Sequence, residues 1–206
     1  KVISEKKLMD WILALLQQHM AGKIDAISDE EKQALIAKVQ AELQRRSTIA
    51  RAAALIANAR SQSVRIGYVR VGFSPDYREC PPGSPVFSGA RKAGIFKLGA
   101  WGTEVHPALA PRPEDADIVK HRVSPFYGTC LEPLLRANNI RRLYLCGVST
   151  IGVVASGMRE GHDRDYEIVV VEDCCCAASQ EEHDAGMTTL KRFGRIAQSS
   201  EITFAE

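Results

Sequence analysis

The sequence predicts an α/β protein with a parallel β-sheet, and three observations support this fold class. Short apolar runs alternate with helical segments after residue 116, which is typical of repeated strand–helix–strand units. The run Ile168, Val169, Val170 and Val171 is apolar without alternation, as expected for a central strand buried on both faces. Finally, 206 residues with 45% hydrophobic and 25% charged residues suit one ordinary globular domain.

The first 60 residues are predicted to be helical and to pack on this domain as an extension. The first helix, at residues 4–20, carries an apolar stripe made of Leu8, Trp11, Ile12, Leu15 and Leu16. Ser28 and Glu31 match a capping box, so a second helix begins near residue 29 and reaches about residue 44. A third helix covers residues 48–59. The apolar stripe is covered either by the chain's own sheet or by a neighbouring subunit, and both alternatives remain open.

The remaining elements follow from local pattern. A strand is predicted at residues 64–71, and the proline-rich residues 72–116 form a long loop, which in a compact domain is usually functional. Beyond the loop, strands are predicted at residues 117–121, 143–147, 167–172 and 196–204, and helices at residues 131–138, 150–163 and 181–193. Ligands of such folds bind beyond the carboxyl ends of the strands, which directs attention to the segments after Val119, Cys146 and Val171.

Two motifs at these strand ends resemble those of the isochorismatase-like hydrolases, which include nicotinamidases and other cysteine amidohydrolases. The first is Lys120 followed by Ser124, Phe126, Gly128 and Thr129. The second is the turn Gly147-Val148-Ser149-Thr150 after an apolar strand, with Glu172, Asp173 and His183 matching further downstream. The resemblance spans about residues 64–193 and implies a doubly wound parallel sheet flanked by helices.

The resemblance also implies an aspartate, lysine and cysteine triad at the strand ends. Carried onto this chain, the lysine is Lys120, a catalytic residue placed to hold developing negative charge. The nucleophile position holds Val153, which has no nucleophilic atom, so we expect no thiol-dependent catalysis. No strand with the family's aspartate is found, and the two candidates, Asp10 and Asp25, fit a helix position and a turn better.

The resemblance further implies that residues 147–150 form the oxyanion-binding turn, with a cis peptide bond between Val148 and Ser149. The alternative interpretation is a tight turn in which Thr150 caps the following helix. Val153, Phe126 and Trp101 are expected to line a small apolar pocket, and His106 to lie at its mouth.

Composition limits the remaining possibilities. Net charge is +2 without a basic run, so no nucleic-acid partner is expected. Neither a membrane span nor a signal peptide is expected, which predicts a cytoplasmic protein. The six cysteines, including Cys174, Cys175 and Cys176, fit buried free thiols better than a zinc site, and we expect no metal and no cofactor.

Two functions remain at this point. The first is a hydrolase that acts on a small molecule without a cysteine nucleophile. The alternative is a non-catalytic family member that serves as a binding or structural subunit. A carboxylate beside Lys120 would favour the hydrolase. We also expect a homo-oligomer, most simply a dimer, that uses the N-terminal helices in its contact.

Overall fold

The computed structural model describes residues 28–204 of the chain. Its helices are α1 (Asp29–Arg45), α2 (Thr48–Ser61), α3 (Ser88–Ala93), α4 (Leu131–Ala137), α5 (Ala155–His162) and α6 (Gln180–Leu190). Its strands are β1 (Gly67–Val71), β2 (Ala116–Lys120), β3 (Arg142–Val148), β4 (Glu167–Cys176) and β5 (Arg195–Ala197). None of the helices in this range is both long enough and apolar enough to cross a membrane.

All strand pairs are parallel, which confirms the predicted α/β class. Strands β1 and β2 form one sheet, with Gly67 opposite Ala116 and Val71 opposite Lys120. Strands β3, β4 and β5 form a second sheet in that order. Within residues 28–204, no hydrogen-bonded ladder joins the two sheets, a division that the sequence did not predict.

The central strand β4 separates two apolar layers. Ile168 and Val170 pack with Met158 of α5 and with Met187 and Leu190 of α6. Residues of opposite parity on β4, Val169 and Val171, pack with Ala52 and Leu55 of α2 on the other face. Helices on both faces explain why this strand has no polar alternation.

Several predicted boundaries need correction. Strand β4 continues through Cys176, so the cysteine run lies in the strand and is buried there. The last predicted strand is only three residues long, because the chain turns at Ser199–Glu201. The predicted loop 72–116 contains the short helix α3 and two 3-10 turns. The predicted helix 150–163 begins as a π-helical turn, Thr150–Val154, before α5.

Two of the three helices predicted for the N-terminal region lie within the described residues, and one does not. Helices α1 and α2 confirm the second and third helices, and Ser28 and Glu31 form the expected capping box, with both hydrogen bonds present. The helix predicted at residues 4–20 lies outside the described residues. The subunit contact predicted for it therefore stays a prediction.

Gly194, directly before β5, is expected to tolerate no side chain. A Cβ atom there would lie 2.5 Å from the backbone carbonyl oxygen of Ile168 and 2.9 Å from the Met158 side chain. A Gly194→Ala variant should therefore lose about 2 kcal/mol of unfolding free energy, as overpacked sites do. Urea denaturation measures the loss. Gly83→Ala is the control, because a Cβ at Gly83 would meet nothing within 4 Å. Equal stability of the two variants would contradict the prediction.

Candidate active site

A cavity of about 1150 Å³ lies between the two sheets. Strands β1 and β2 bound one side, and strand β3 bounds the other. Helix α2 covers it with residues at helical spacing, among them Ala52, Leu55 and Ala59. Among the predicted site residues, Lys120, Phe126, Gly147, Val148 and Val153 all line this cavity. The structure therefore brings together residues that lie up to 33 positions apart in the chain.

Lys120 ends strand β2 with its side chain buried; only 3% of the residue is exposed. Its ammonium donates a hydrogen bond to the backbone carbonyl of Arg122 at 2.8 Å. Within residues 28–204, no carboxylate lies at ion-pair distance from it. Burial lowers the pKa of Lys120 to about 8, because the charged form loses its hydration. The group is still mostly protonated at neutral pH.

Two neighbouring cations of the cavity, Arg60 and Arg70, differ from Lys120 because each has an acidic partner. Arg60 forms an ion pair with Asp115. Arg70 binds both carboxylate oxygens of Asp117 at 2.7 Å. Lys120 thus contributes a buried positive charge that these pairs do not neutralise, and such a group attracts an anion.

The turn after β3 has the predicted backbone. The peptide bond between Val148 and Ser149 is cis, as expected. Gly147 adopts φ +130°, a region that L-amino acids with a side chain rarely enter. Both Gly147 and Val148 line the cavity, whereas Ser149 and Thr150 are buried behind it. The turn therefore presents its first two residues to the cavity.

Thr150 does not cap the following helix, so the predicted capping role is wrong, although the chain does turn directly from strand into helix here. The residue at the cap position is Ser149, whose side chain makes no capping hydrogen bond. The Thr150 hydroxyl lies 2.9 Å from Nδ1 of His183, and both residues are fully buried. This contact fixes the turn to helix α6.

His183 continues into a buried polar network. Its Nε2 atom lies 2.6 Å from Oε1 of Glu172, and the same carboxylate accepts a hydrogen bond from Arg46 at 2.5 Å. Burial alone would raise the pKa of Glu172, but hydrogen bonds from Arg46, Gln198 and His183 outweigh it and lower that pKa to about 2. An Arg46 guanidinium nitrogen also lies 3.0 Å from Nε2 of His183, so Arg46, Glu172 and His183 contact one another in a single cluster.

Sequence patterns alone did not predict this network. Glu172 and His183 appeared only as matches to the resembled family, without a role. Arg46 lies 126 residues before Glu172, and no spacing rule connects positions so far apart. The only local signal in the sequence was a histidine, His183, that follows a carboxylate at the end of a predicted strand.

Four of the six cysteines lie in strands β3 and β4. Cys174, Cys175 and Cys176 are buried in β4, and burial raises the pKa of the Cys175 thiol well above its usual range. Cys146 was predicted to point into the core, but it is exposed and lines the cavity. Its surroundings nevertheless desolvate the thiolate, and this desolvation raises the pKa of Cys146 to about 11. None of these four offers a thiolate at neutral pH.

Two other residues predicted to lie at the pocket, Trp101 and His106, differ in whether they line the cavity. Trp101 does not line the cavity, although its neighbours Gly102 and Thr103 do. His106 does line it, and burial lowers the pKa of its ring. Across residues 28–204, no group of three histidine, cysteine or acidic side chains is arranged to hold a metal ion.

Comparison with known proteins identifies the family. A family model described as "Isochorismatase domain" matches residues 31–201. A ureidoacrylate amidohydrolase RutB of Methylorubrum extorquens is 36% identical over 135 residues, 60% of this chain and 54% of that protein. The chain thus spans about half the length of the curated relatives it matches.

Solved structures that resemble this fold support the same family. An isochorismatase family protein from Burkholderia thailandensis is 25% identical, with a TM-score of 0.65 over 75% of this chain and 80% of that one. N-carbamoylsarcosine amidase from Thermoplasma acidophilum is 29% identical, with a TM-score of 0.62 over 75% and 84%. From the cavity at the strand ends, the cis turn and these matches together, we conclude that the chain belongs to the isochorismatase domain family of hydrolases.

Proposed function

We propose that this chain is a hydrolase for small anionic molecules that works without a cysteine nucleophile. The observation that carries the proposal is that the buried Lys120 and the turn at Gly147 and Val148 line one cavity. The carboxylate beside Lys120 that would favour a hydrolase is not found among residues 28–204, and this second observation favours the alternative role described below. A positive charge held in a site of low polarity stabilises a substrate carboxylate or the negative charge that develops on a reacting oxygen.

The names of the relatives support a substrate class. Ureidoacrylate and N-carbamoylsarcosine each combine a carbamoyl nitrogen with a carboxylate. A substrate of that kind would place its carboxylate or its carbonyl oxygen against Lys120. The turn at Gly147 and Val148 would face the same molecule from strand β3. With Val153 at the nucleophile position, water rather than a side chain would attack the carbon.

A screen of small ureido acids, amides and vinyl ethers tests the activity. The hydrolysis of one class is expected in the wild-type chain and its loss, by at least about 100-fold, in Lys120→Ala, as for other charge-stabilising groups. The matched control is Lys92→Ala, which removes an exposed lysine and should leave the rate unchanged. Equal rates in both variants would exclude Lys120 from the reaction.

The rate should depend on pH through Lys120. Its pKa is lowered to about 8, so the required cation is present below that value and lost above it. We therefore expect the rate to fall about tenfold per pH unit above pH 8 and to be independent of Lys120 titration below pH 7. Initial rates at substrate concentrations well below KM, between pH 6 and 10, measure this, because they report the pKa of the free protein. A rate that rises through pH 8 would mean that the neutral amine acts instead.

Thiol alkylation should leave activity intact. Cys130 is exposed and should react with iodoacetamide, whereas Cys146 should react slowly at pH 7 because its pKa is about 11. Mass spectrometry would locate each modification, and the rate would be measured on the same sample. Loss of activity in proportion to the modification of a single cysteine would identify a nucleophile that this proposal lacks.

A non-catalytic binding or structural role is the second candidate. It is favoured because the triad implied by the resemblance includes an aspartate, and no carboxylate lies beside Lys120 among the described residues. In that case the site would bind small carboxylates without converting them. Calorimetry with the screened compounds separates the two: binding that Lys120→Ala abolishes, without any turnover, supports this second role.

A further inference from the structure

Two cysteines, Cys146 of β3 and Cys174 of β4, occupy neighbouring positions on adjacent strands. After a register shift, the ladder between these strands resumes with Gly147 opposite Cys175. Cys146 and Cys174 each stand one residue before this pair. Since adjacent strands lie about 4.8 Å apart, the two residues are within side-chain reach of each other.

The two side chains also lie on the same face of the sheet. Cys174 packs in the apolar layer that β4 shares with α2, and Tyr144 of β3 packs against the same layer. Residues two apart on a strand point to the same side, which places Cys146 on the face of Tyr144. Cys146 and Cys174 both line the cavity as well. The two thiols therefore face one space.

The ionisation of one thiol affects the other. Burial raises the pKa of Cys174 above its usual range, and the charge of a Cys146 thiolate raises it further. Desolvation raises the pKa of Cys146 to about 11, so that both thiols carry protons at neutral pH. A cation bound between the two sulfur atoms removes this repulsion, because it neutralises charge on both.

The neighbouring groups offer no further metal ligand. Cys175 donates its S–H to the carbonyl of Val171 at 3.3 Å and packs with Met158 in the opposite apolar layer. Nowhere in residues 28–204 do three histidine, cysteine or acidic side chains form a metal site. Two sulfur ligands do not complete the four-coordinate site that zinc requires, and thiolates favour a soft ion such as Cu(I).

We propose that Cys146 and Cys174 form a binding site for one soft monovalent cation, Cu(I), held in linear coordination between the two sulfur atoms. Each thiol releases its proton to the solvent and forms one sulfur–copper bond. Two protons thus leave, no electron is transferred, and the bound complex carries one negative charge. The apolar layer around Cys174, which includes Ala52 and Leu55, offers no oxygen ligand to a hard ion.

This site goes beyond the proposed hydrolase function and does not depend on it. Cys146 directly precedes Gly147, the first residue of the turn beside the cavity, so a bound ion would lie at the edge of the candidate active site. Metal binding is measured without turnover. A chain that hydrolyses nothing would therefore leave the thiol pair untouched, and a chain that binds no copper would leave the role of Lys120 untouched.

Titration of the reduced full-length chain with the Cu(I) complex of bicinchoninate, under argon, tests the proposal. The wild type should remove one equivalent of Cu(I) from the chelator. Cys146→Ser should bind at least about 100-fold more weakly, since a lost ligand costs more than a lost outer-shell partner. Cys130→Ser is the matched control, because Cys130 is exposed and directly precedes α4, outside the strands. Unchanged affinity in Cys146→Ser, or no transfer of copper to the wild type, would overturn the proposal.

The pH dependence of binding distinguishes a pair of thiols from a single thiol. Because two protons leave, the affinity of the wild type should rise about 100-fold per pH unit between about pH 6 and 9, where both thiols are protonated. In Cys174→Ser the rise should be only about tenfold per unit, since one thiol remains. A tenfold rise in the wild type would contradict a site built from two thiols.

X-ray absorption at the copper edge identifies the ligands even if Cys174→Ser, changed at a buried position, fails to fold. The loaded wild type should show two sulfur neighbours and no nitrogen or oxygen neighbour. Peptide mass mapping after alkylation of the loaded chain should find Cys146 and Cys174 protected and Cys130 modified. Protection of another pair, such as Cys175 and Cys176, would place the ion elsewhere and overturn the assignment.

Discussion

Replacing Lys120 by methionine is expected to raise the free energy of unfolding at pH 7 by up to about 3 kcal/mol. The pKa of Lys120 falls from 10.5 to about 8 in the folded state. A shift of this size corresponds to about 3 kcal/mol by which burial disfavours the charged form. Methionine fills similar space without a charge, although it loses the hydrogen bond to Arg122, so the gain is an upper value.

The lowered pKa of Lys120 also predicts how the free energy of unfolding changes with pH. Below about pH 8 the lysine is charged in both states, and the folded state bears the full cost. Between about pH 8 and 10.5 the unfolded chain binds more protons than the folded one, so stability of the wild type rises with pH. Lys120→Met should lack that rise.

Urea denaturation at pH 7 and across pH 8 to 10.5 measures both effects. Lys92→Met is the matched control, since Lys92 is exposed and its loss should change stability by less than about 0.5 kcal/mol. A destabilised Lys120→Met chain would contradict the prediction and would mean that the ammonium has a favourable partner. A stabilised but inactive variant is what a functional residue kept at a stability cost should give.

Glu172→Gln is expected to lower the free energy of unfolding at pH 7 by about 3 kcal/mol. The carboxylate links Arg46 of α1 to His183 of α6, and His183 in turn fixes Thr150 in the turn beside the cavity. Glutamine leaves the guanidinium of Arg46 without its counter-charge. Breaking a buried pair costs about 3–5 kcal/mol, and the low end applies here because 20% of the Glu172 side chain is exposed. The hydrogen bond between His183 and Thr150 should weaken as well.

Acid titration checks the sign of this effect. The pKa of Glu172 is lowered from 4.5 to about 2. Its contribution to stability is therefore complete above about pH 4.5 and is lost as pH falls through about 2. Chemical denaturation between pH 2 and 7 should show a smaller decline for Glu172→Gln than for the wild type.

Glu167→Gln is the control for the loss of an ion-paired glutamate. Glu167 pairs with Arg142 at 2.8 Å, but 60% of its side chain is exposed, so its removal should cost less than about 1 kcal/mol. A Glu172→Gln variant as stable as this control would show that the buried network adds nothing beyond an exposed pair.

Local sequence patterns predicted most of the secondary structure and two parts of the candidate site, Lys120 and the turn at Gly147. The βαβ alternation, the uninterrupted IVVV strand and the capping box at Ser28 each depend on residues within a few positions of one another. Lys120 and the turn at Gly147 follow strand ends, and parallel strands bring such ends to one edge. That is why their shared cavity could be predicted without coordinates.

Tertiary structure alone decided the rest, because those features depend on contacts between distant segments. No sequence rule pairs Arg46 with Glu172, and none distinguishes a cysteine that points into a core from Cys146, which faces a cavity. Whether Lys120 is paired or isolated depends on which strand lies beside it. The sequence by itself determined the strands of this protein, whereas only the fold shows that the described strands form two separate sheets with a cavity between them, since strand pairing is a property of the assembled sheet.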